Sequence, residues 1–476
     1  MLAYAALASF FLLARAQNAC EQIEKAISSA SEVSYPGQPT YFRDISHWAR
    51  SSSQLSECSV QPGTTQDVGA ILRIVGNSRT PFAVKGGGHT SNPGFSSTTG
   101  VQIAMSRFNQ VTYDTQSQTA VIGAGLIWDD VYEALAPHNV NVLGGRVSGV
   151  GVAGFLLGGG YSWLSNQYGL AVDTITAYEL VKPDGSVVTV TESSDVDLFF
   201  ALKGGMNNFG IVTRFTMKTY PQGQVWGGLR TYTASHVDAI SAATAKFWET
   251  VTDPKASLIT TYNHVAGVDI GVSLLLFYDG PSTPAGIFDD FMSIPYLTSD
   301  METRDFLSLV KTSPSDVTEY WSRGIFSTVP LLKITPTMLT AIVNETKWYG
   351  DKLDGALVSY DVEPFVPNLL SHASGLTAYP PTRDHVYLPL NIYYAWARES
   401  YDNEFQNAIR ASTKHLESIA VAEGQAGVDA ASPYPNYAIY DTPVSRVYGD
   451  NLGRLQSIRS KVDPTNVMGL AGGFRI

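Results

Sequence analysis

The segment best suited to chemistry is a glycine-rich loop that directly follows an apolar strand candidate ending at Val84. In order, the loop reads Lys85, Gly86, Gly87, Gly88 and His89. Glycine has no Cβ atom, so three in succession let backbone N–H groups turn toward a bound anion such as a pyrophosphate. A cation precedes the glycines and an imidazole closes the loop. Runs of glycine also form plain turns, so the prediction of an anion site depends on motifs further along the chain.

A second glycine-rich segment, Gly149 to Gly154, matches the G-x-G-x-x-G pattern, and Asp173 follows about 20 residues later. In dinucleotide-binding folds this pattern follows a clean strand and opens a βαβ unit. Here residues 143–146 read Leu-Gly-Gly-Arg and form no such strand. We therefore interpret these glycines as positions of close backbone approach to a cofactor, without a Rossmann fold.

Both loops lie in residues 64–213, where short strands alternate with glycine-rich turns. Helices are predicted over Asp67–Val75 and over Trp128–Leu135, and the second has carboxylates in its first turn, which suits the positive helix end. The strand candidates are Pro81–Val84, Val101–Ala104, Val111–Tyr113, Thr119–Ile122, Ile175–Leu180 and Val187–Val190. This order predicts an α+β fold and not a regular βαβ array.

Glycine becomes rarer after residue 220, which indicates a second domain. Helices are predicted there over Val237–Thr250, Pro284–Met292, Thr337–Val343 and Tyr401–Glu417. Strands are predicted over Ser257–Tyr262, Ile270–Phe277, Ala356–Tyr360 and Val386–Trp396. From Tyr434 the aromatic and glycine character returns, and a last helix is predicted over Gly449–Lys461. We expect one domain over residues 17–220, a second over 221–431, and a C-terminal segment, 432–476, that returns to the first.

Composition describes a globular protein. The 476 residues suffice for two to four domains, and 44% hydrophobic with 16% charged residues supply ample core. The formal net charge is −12 and no run of Lys and Arg occurs. Nucleic-acid and membrane-surface partners both need clustered basic residues, so neither is expected.

Residues 1–16 are predicted to be a secretory signal peptide. Leu2 to Ala14 are apolar or small, and Ala14-Arg15-Ala16 fits a small-x-small cleavage site before Gln17. This stretch is shorter than the roughly 20 apolar residues of a membrane-spanning helix. We therefore expect a protein that is secreted or held in the lumen of the secretory pathway.

The chain has two cysteines, Cys20 and Cys58. In an oxidising compartment such a pair is most simply one disulfide, here tying the mature N-terminus to the first domain. Neither lies in a C-x-x-C motif, and the histidines other than His89 show no ligand spacing, so no metal site is predicted. The sequon Asn344-Glu345-Thr346 predicts N-glycosylation at Asn344.

Further motifs follow the glycine loop in a fixed order. They are Gly123-Ala124-Gly125 with Trp128, Val150 to Gly154, Gly158 to Tyr161, Tyr168-Gly169-Leu170, Leu202 to Gly205, Asn208 to Thr213, Tyr448 to Asn451 and Asp463 to Asn466. In this series the chain resembles the berberine-bridge-enzyme-like branch of the vanillyl-alcohol-oxidase flavoproteins, especially the secreted fungal members, over nearly its whole mature length. The resemblance implies a two-lobed PCMH-type FAD-binding domain, residues 17–220 with 432–476, and an α+β substrate domain with an antiparallel sheet, residues 221–431.

The resemblance also implies FAD as the cofactor, bonded covalently to His89 through the 8α-methyl group of the isoalloxazine. The loop from Lys85 to Gly88 would then cradle the FAD pyrophosphate. The segments that line the cofactor in the family correspond here to those of Gly123, Gly125, Gly154, Gly159, Asp173, Gly210, Val212 and Asn451.

Two departures from the family pattern bear on function. Many members carry a second tether, a cysteine three residues before the Val-Gly-Val-Ala-Gly block, and Val147 occupies that position here. We therefore expect a single tether, through His89. Double tethering accompanies open sites for bulky sugars in the family, so its absence weakens an oligosaccharide-oxidase interpretation. The family tyrosine two residues after the linking histidine is Ser91.

The catalytic base of the family lies on a substrate-domain strand about five residues before a Trp, as Glu, Asp or Gln. Counting back from Trp396 gives Asn391, whose amide cannot take a proton from a substrate hydroxyl at ordinary pH. Either the register differs or a tyrosine serves instead. Tyr393 shares the pleat face of Asn391, and Tyr434 and Tyr437 resemble a tyrosine-bearing motif near the family's active site.

The resemblance implies an FAD-dependent oxidoreductase that moves a hydride from a substrate C–H to the flavin, with O2 as the electron acceptor. A small-molecule alcohol or phenol, for example a secondary-metabolite intermediate, is the preferred substrate, and a monomer is expected. Two alternatives stay open. One is a secreted carbohydrate oxidase, and the other is a flavin-bound cyclase or non-oxidising scaffold, which the amide at Asn391 motivates.

Overall fold

The computed structural model describes residues 18–265, 269–313, 323–373 and 375–476, so the predicted signal peptide lies outside the described residues. Within these ranges the strands are, in chain order, β1 (Glu32–Ser34), β2 (Cys58–Gln61), β3 (Phe82–Lys85), β4 (Val101–Ala104), β5 (Val111–Asp114), β6 (Thr119–Gly123), β7 (Val140–Asn141), β8 (Ile175–Val181), β9 (Val187–Val190), β10 (Ile211–Lys218), β11 (Tyr220–Pro221), β12 (Val225–Tyr232), β13 (Ala256–Val265), β14 (Gly271–Tyr278), β15 (Thr298–Ser299), β16 (Glu302–Arg304), β17 (Arg323–Leu331), β18 (Leu357–Val362) and β19 (Leu388–Trp396).

Helices cover the sheets and join them. Residues 18–26 are helical. The α-helices that follow are Pro39–Ile45, Thr65–Ser78, Trp128–Leu135, Val152–Leu157, Ser165–Tyr168, Val196–Leu202, Val237–Thr250, Asp289–Met292, Phe306–Val310, Pro336–Lys352, Asp402–Ala422, Val444–Tyr448 and Leu452–Val462.

Several helix ends follow directly from side-chain chemistry. The Thr64 hydroxyl accepts a hydrogen bond from the Asp67 N–H at 3.1 Å and begins helix Thr65–Ser78, which the sequence predicted two residues later. Helix Trp128–Leu135 has the predicted bounds. The predicted helix over Pro284–Met292 was too long. Only Asp289–Met292 is helical, because Gly286 adopts a left-handed backbone conformation with φ of +92°.

Two sheets form the first half of the chain. One has the order β1-β2-β4-β3, with parallel pairing of β4 to both β2 and β3. The other, β5-β6-β10-β8-β9, is antiparallel. The glycine loop therefore begins at the carboxyl end of a parallel strand, β3, where backbone N–H groups are no longer used by the sheet.

A disulfide joins Cys20 to Cys58, as the sequence predicted. It connects the N-terminal helix to β2, and both cysteines are fully buried in the first core. The bond closes a loop with a sequence separation of 38 residues. The N-terminal helix is thereby held against the parallel sheet.

The second half of the chain forms a large antiparallel sheet of order β15-β12-β14-β13-β18-β19-β17, with β16 pairing with β12. On its central strands the even-numbered side chains, such as Val358, Tyr360 and Tyr394, are buried in the second core together with residues of the long helices Pro336–Lys352 and Asp402–Ala422. Odd-numbered side chains point to the opposite face because strand side chains alternate. That opposite face is turned toward the glycine loop.

The edge strand β17 is held by side chains from the first half of the chain. The Ser51 hydroxyl accepts from the Gly324 N–H and donates to the Gly324 carbonyl, both at 3.0 Å. The Ser91 hydroxyl accepts from the Phe326 N–H at 3.1 Å. Ser91 lies two residues after His89, so the histidine loop is bonded directly to the edge of the large sheet.

The C-terminal residues divide between the two cores. Tyr434 and Ile439 are buried in the second core, whereas Val447, Tyr448 and Leu455 are buried in the first. The fold is thus α+β with an antiparallel sheet in its second half, as predicted from the sequence. None of the helices in the described ranges is long and apolar enough to cross a membrane.

Candidate active site

A cavity of about 740 Å³ lies between the glycine loop and the odd-numbered face of the large sheet. The first half of the chain contributes glycines and His89, and the sheet contributes hydroxyl, amide and carboxyl groups. Seven residues predicted to bind the cofactor line it: Gly86, Gly87, Gly88, His89, Gly154, Gly210 and Val212.

Close backbone packing explains the glycines beside this cavity. A Cβ atom on Gly87 would lie 2.5 Å from Gly151 Cα, and one on Gly151 would lie 2.6 Å from the Gly87 nitrogen. The two loops therefore approach each other backbone to backbone. Gly154 is different, because nothing lies within 4 Å of its Cβ position. A side chain there would enter space that the glycine leaves open.

His89 closes the loop against an indole ring. Its imidazole stacks on Trp48, with 4.6 Å between ring centroids and 15° between the ring planes. The His89 Nε2 is buried and has no hydrogen-bond partner. Burial lowers the pKa of His89 to about 4. The imidazole is therefore neutral at physiological pH and keeps a nitrogen lone pair available for bonding.

Lys85 does not line the cavity. Its ammonium group donates to the Arg43 carbonyl oxygen at 2.9 Å, and burial lowers its pKa to about 8. Its stem packs under the loop, because a Cβ atom on Gly88 would lie 2.6 Å from the Lys85 Cε. The Lys85 side chain thus supports the loop, and the Lys85 charge is directed toward residue 43.

Gly123, Gly125 and Gly159 are also absent from the cavity lining. Cβ atoms on Gly123 and Gly125 would lie 2.1 and 2.0 Å from the carbonyl oxygens of Phe108 and Met105. These two glycines therefore let neighbouring backbone segments pack. Gly159, with φ of +116°, lies against the Tyr379 and Tyr434 rings.

Asp173 and Asn451 hold loops outside the cavity lining. The Asp173 carboxylate accepts from the Leu170 N–H at 2.9 Å and from the Arg383 guanidinium at 2.7 Å. The Asn451 amide donates to the carbonyl oxygens of Thr377 and Ala378, at 3.0 and 3.1 Å. Both residues hold the segment 377–383.

The four residues considered for proton transfer all line the cavity: Asn391, Tyr393, Tyr434 and Tyr437. Tyr434 and Tyr437 pack edge to face at 4.9 Å, and the Tyr434 hydroxyl accepts from the Asn436 amide at 2.8 Å. The Asn391 Oδ1 is buried without a hydrogen-bond partner.

Tyr437 belongs to a buried cluster with Arg146 and Glu363, the Arg146–Glu363–Tyr437 cluster. The Arg146 Nη2 donates to the Glu363 Oε2 at 2.7 Å and to the Tyr437 hydroxyl at 2.9 Å. The Tyr437 hydroxyl in turn donates to the Glu363 Oε1 at 3.0 Å. The Arg146 and Glu363 side chains are only 7% and 2% exposed, and all three residues line the cavity.

Burial sets the protonation of this cluster. It raises the pKa of Glu363 to about 7, against the opposing effect of the Arg146 guanidinium. Burial, and next the charge of Glu363, raise the pKa of Tyr437 well above its usual range, while Arg146 opposes both. Near neutral pH the cluster therefore holds a neutral phenol bonded to a carboxyl group that can gain or lose a proton.

Asp361 is a second carboxyl group on the cavity face, between Thr261 of β13 and Asn391 of β19 in the sheet register. Burial raises its pKa, while hydrogen bonds from the hydroxyls of Thr261 and Ser359 lower it. The Ser359 hydroxyl lies 3.2 Å from the Asp361 Oδ1.

Three aromatic rings form a wall at the His89 end of the cavity. Phe326 lies 5.5 Å from Trp48, with 13° between the ring planes, and 4.6 Å from Tyr393. Tyr393 also contacts Trp48 at 5.2 Å. We call Trp48, Phe326 and Tyr393 the aromatic wall. Aromatic rings that line a cavity suit an apolar or planar ligand.

Sequence reasoning missed five residues of this site: Trp48, Arg146, Phe326, Asp361 and Glu363. A signal existed for the two carboxyl groups. They follow the predicted strand Ala356–Tyr360 at odd positions, and extending that strand by three residues places both on one pleat face. Arg146 directly precedes Val147, but nothing in the sequence indicates that its guanidinium reaches Glu363, 217 residues later.

The residues present fit a bound FAD. A glycine cradle at the end of a parallel strand supplies backbone N–H groups, as a pyrophosphate requires. Space is left open at Gly154, and a neutral imidazole stands at the edge of the cavity. Among the described residues, no group of three or more His, Cys, Asp or Glu is placed to hold a metal ion.

Comparison with known proteins agrees with this site. Residues 56–191 match the family model for the FAD binding domain, and residues 433–471 match the model for berberine and berberine like proteins. The FAD-dependent monooxygenase drtC of Aspergillus calidoustus is 32% identical over 463 residues, which are 92% of this chain and 87% of that protein. The FAD-dependent monooxygenase sdcF of Emericella nidulans is 32% identical over 468 residues, 94% of this chain and 96% of that protein.

Among solved structures, the carbohydrate oxidase from Microdochium nivale superposes with a TM-score of 0.79 at 20% identity, over 96% of this chain and 99% of that one. This likeness establishes the PCMH-type fold. The fold and the site together define an FAD-dependent oxidoreductase. The chain belongs to the berberine-bridge-enzyme-like family of FAD-linked oxidoreductases, as its motifs predicted.

Proposed function

We propose that this enzyme oxidises a small-molecule alcohol or phenol, with the Arg146–Glu363–Tyr437 cluster accepting the proton that the substrate hydroxyl loses. The observation that carries this proposal is the cluster itself. Its tyrosine and its carboxyl group share a hydrogen bond of 3.0 Å in the cavity that His89 closes. When bound, FAD supplies the hydride acceptor and passes the electrons on to O2.

His89 is proposed as the single covalent tether. Its imidazole is neutral and is held in one plane by Trp48, so a nitrogen lone pair is available and oriented. The cofactor would be held by Gly86, Gly87, Gly88, Gly154, Gly210 and Val212, which line the same cavity. Val147 offers no sulfur for a second bond.

Tyr437 is proposed as the group nearest the substrate hydroxyl. As the substrate proton moves to the Tyr437 oxygen, the phenol proton moves to Glu363. This pair of proton transfers requires no separate phenolate intermediate. Arg146 stabilises the negative charge of the pair through its bonds to both oxygens. This assignment removes the reason for a non-oxidising scaffold, since the missing carboxyl base at Asn391 is replaced by Glu363.

The preference for an aromatic substrate depends on the aromatic wall and on the absence of a second tether at Val147. One observation favours a carbohydrate instead. The hydroxyl and amide groups of Thr261, Asn263, Ser273 and Ser359 also line the cavity and could bond a polyol. Rapid flavin bleaching by oligosaccharides but by no aromatic alcohol would establish that alternative.

The relatives drtC and sdcF are FAD-dependent monooxygenases by name, so the fate of oxygen is a second question. An oxidase releases both oxygen atoms as hydrogen peroxide. A monooxygenase places one atom in the product and needs a further reductant. Turnover under ¹⁸O2 with mass spectrometry of the product separates the two, and we propose the oxidase outcome.

We further propose that the enzyme is a secreted monomer with a glycan at Asn344. The described disulfide and the exposed position of Asn344 on helix Pro336–Lys352 support this. The cavity joins residues of 17–220, 221–431 and 432–476, which supports the proposed division into a two-part FAD-binding domain and a substrate domain.

Anaerobic mixing of the purified yellow enzyme with a panel of benzylic alcohols, phenols and oligosaccharides tests the function. We expect an aromatic alcohol or phenol to bleach the flavin absorbance near 450 nm, and air to restore it with peroxide formed. A flavin that no compound in the panel reduces would contradict the proposal.

A further inference from the structure

One helix in the second half of the chain carries a large apolar side chain on its solvent face. The helix Pro336–Lys352 exposes Thr340, Asn344, Trp348 and Lys352 at a spacing of four residues. Trp348 is 61% exposed, and no other exposed residue of this helix is a large hydrophobic one. Single apolar residues are common on protein surfaces, so the role of Trp348 depends on its place in this row.

Asn344, the acceptor of the predicted glycosylation sequon, lies one helical turn before Trp348. Side chains four residues apart in a helix are neighbours, with about 5–6 Å between their Cβ atoms. Helix side chains also lean toward the N-terminus, so each of them covers the turn before it. By this rule the indole of Trp348 leans over the turn that begins at Asn344.

The next residue of the row shows the same direction. The Lys352 Nζ lies 5.7 Å from the centroid of the Trp348 ring, so the lysine side chain reaches back by one turn. An ammonium group over an aromatic ring occupies one of its faces. A group attached to Asn344 starts from the other end of the row, one turn before the ring and not one turn after it.

The chemistry of a glycan suits an indole. The first sugar of an N-glycan is N-acetylglucosamine, a pyranose whose axial C–H groups make one ring face apolar. An aromatic face carries negative charge density, which attracts the weakly positive hydrogens of these C–H groups. The contact also removes apolar area of the indole from water. Because the sugar is tethered beside the ring, its effective concentration is high and a weak contact is sufficient.

We propose that the exposed face of Trp348 is the binding surface for the first sugar of a glycan carried by Asn344. The sugar packs on the indole face that Lys352 leaves free and covers it. The inference rests on the glycan proposed above, because it assigns what that glycan touches. The helix needs no rearrangement, since Asn344 and Trp348 already lie on its solvent side.

A protein partner matches this position less well. A stable interface has an apolar core surrounded by a polar rim. Around the indole the exposed residues of the same helix are polar or charged: Thr340, Asn344, Lys347, Asp351 and Lys352. One ring among such neighbours suits a single sugar better than a second protein surface.

Hydroxyl-radical footprinting read by mass spectrometry tests the contact at single residues. The full chain is secreted from a yeast host, and peptide mapping reads the glycan occupancy of Asn344 independently. In the glycosylated wild type the oxidation rate of Trp348 should be about half or less of the rate in Asn344→Gln, because one face of the indole is covered. Trimming the glycan to its first sugar with endoglycosidase H should keep this protection.

Tyr296 is the matched control within the same molecule. It is 54% exposed and also has a cation over its ring, with the guanidinium carbon of Arg230 at 4.4 Å from the centroid. The single sequon of the chain is at Asn344, far from residue 296 in sequence. Tyr296 should therefore oxidise at the same rate in the wild type and in Asn344→Gln. Melting temperature and flavin spectrum report whether the variant folds.

Equal oxidation of Trp348 in the occupied wild type and in Asn344→Gln would overturn the inference while the proposed glycan stands. Loss of the protection on trimming to one sugar would overturn it as well. A bare Asn344 in the peptide map would overturn the inference together with the proposed glycan. The oxidoreductase proposal is decided separately, by flavin bleaching, which Asn344→Gln should leave at the wild-type rate.

Discussion

The indole of Trp48 lies parallel to the imidazole of His89, with 4.6 Å between their centroids. The same indole stacks on Phe326 of the large sheet at 5.5 Å. Trp48 therefore stands between the proposed tether and the substrate side of the cavity. Its backbone N–H donates to the Gly88 carbonyl at 3.0 Å, so ring and loop are fixed together.

The first prediction concerns His89. In the wild type, acid precipitation should leave yellow colour in the protein pellet, because the flavin is bonded to the imidazole. In His89→Ala the colour should move to the supernatant. Absorbance of pellet and supernatant measures both. Complete release of flavin from the wild type would contradict the tether while leaving FAD binding intact.

Trp48 should affect how completely the tether forms. Trp48→Ala removes the ring that holds the imidazole plane, and we expect a smaller covalent fraction in the same acid assay. Trp48→Phe keeps a stacking ring and serves as the matched control. An unchanged covalent fraction in Trp48→Ala would show that the stack has no part in attachment.

The pH dependence of flavin reduction should report Glu363. Its carboxyl group accepts a proton only when ionised, and burial raises its pKa to about 7. The anaerobic reduction rate should therefore rise as pH increases through about 7 and then level off. Glu363→Gln should lower the reduction rate about 10²–10⁴-fold and abolish its increase with pH. A rate independent of pH between 5 and 9 in the wild type would exclude Glu363 as the acceptor.

Arg146 should determine the pH at which the flavin reduction rate increases. Its guanidinium opposes the upward shift of the Glu363 pKa, so Arg146→Met should move the rise to higher pH. Arg146→Lys keeps the charge and should move it less. Loss of activity by the same factor at every pH would instead indicate a purely structural role for Arg146.

Substitutions at Gly87 and Gly154 should separate the effect of loop packing from the effect on cofactor binding. Gly87→Ala places a Cβ atom 2.5 Å from Gly151 Cα, so the loops must part. We expect a loss of about 1–3 kcal/mol of unfolding free energy and weaker FAD retention. Gly154→Ala, which meets nothing within 4 Å, should weaken FAD retention with little change in stability of the apoprotein. Thermal melts with and without FAD measure both.

Removing the disulfide should lower stability without altering the site. Cys20 and Cys58 close a loop with a separation of 38 residues, for which loop closure predicts about 3–4 kcal/mol. The double variant Cys20→Ala with Cys58→Ala should melt at lower temperature and, once folded, reduce its flavin at the wild-type rate. A melting temperature equal to that of the wild type would contradict this estimate.

The parts of the fold with local signals were predictable from the sequence. Helix Trp128–Leu135 has the bounds that its acidic first turn and apolar spacing predicted, and Gly86, Gly87, Gly88 and His89 of the glycine loop line the cavity. The helix predicted over Pro284–Met292 was too long because Gly286 has a left-handed conformation that composition does not reveal.

The parts that depend on contacts distant in sequence were not predictable. Arg146 meets Glu363 only because the first half of the chain packs on the cavity face of the large sheet. Trp48 reaches Phe326 in the same way, although 277 residues lie between them and their composition gives no sign of the contact. Counting back from Trp396 found Asn391, which shares the cavity face, but the carboxyl groups lie on the neighbouring strand β18, at Asp361, and directly after its end, at Glu363.

The bonds from Ser51 and Ser91 to β17 have a further consequence, for the fate of the chain before it acquires its cofactor. An edge strand exposes unpaired backbone groups that can recruit strands of other molecules. Here those groups at Gly324 and Phe326 are occupied by Ser51, three residues after Trp48, and by Ser91, two residues after His89. Whatever orders the His89 loop therefore also shields the sheet edge. Chains without flavin should aggregate sooner than loaded ones, which would couple cofactor loading to the survival of the folded protein.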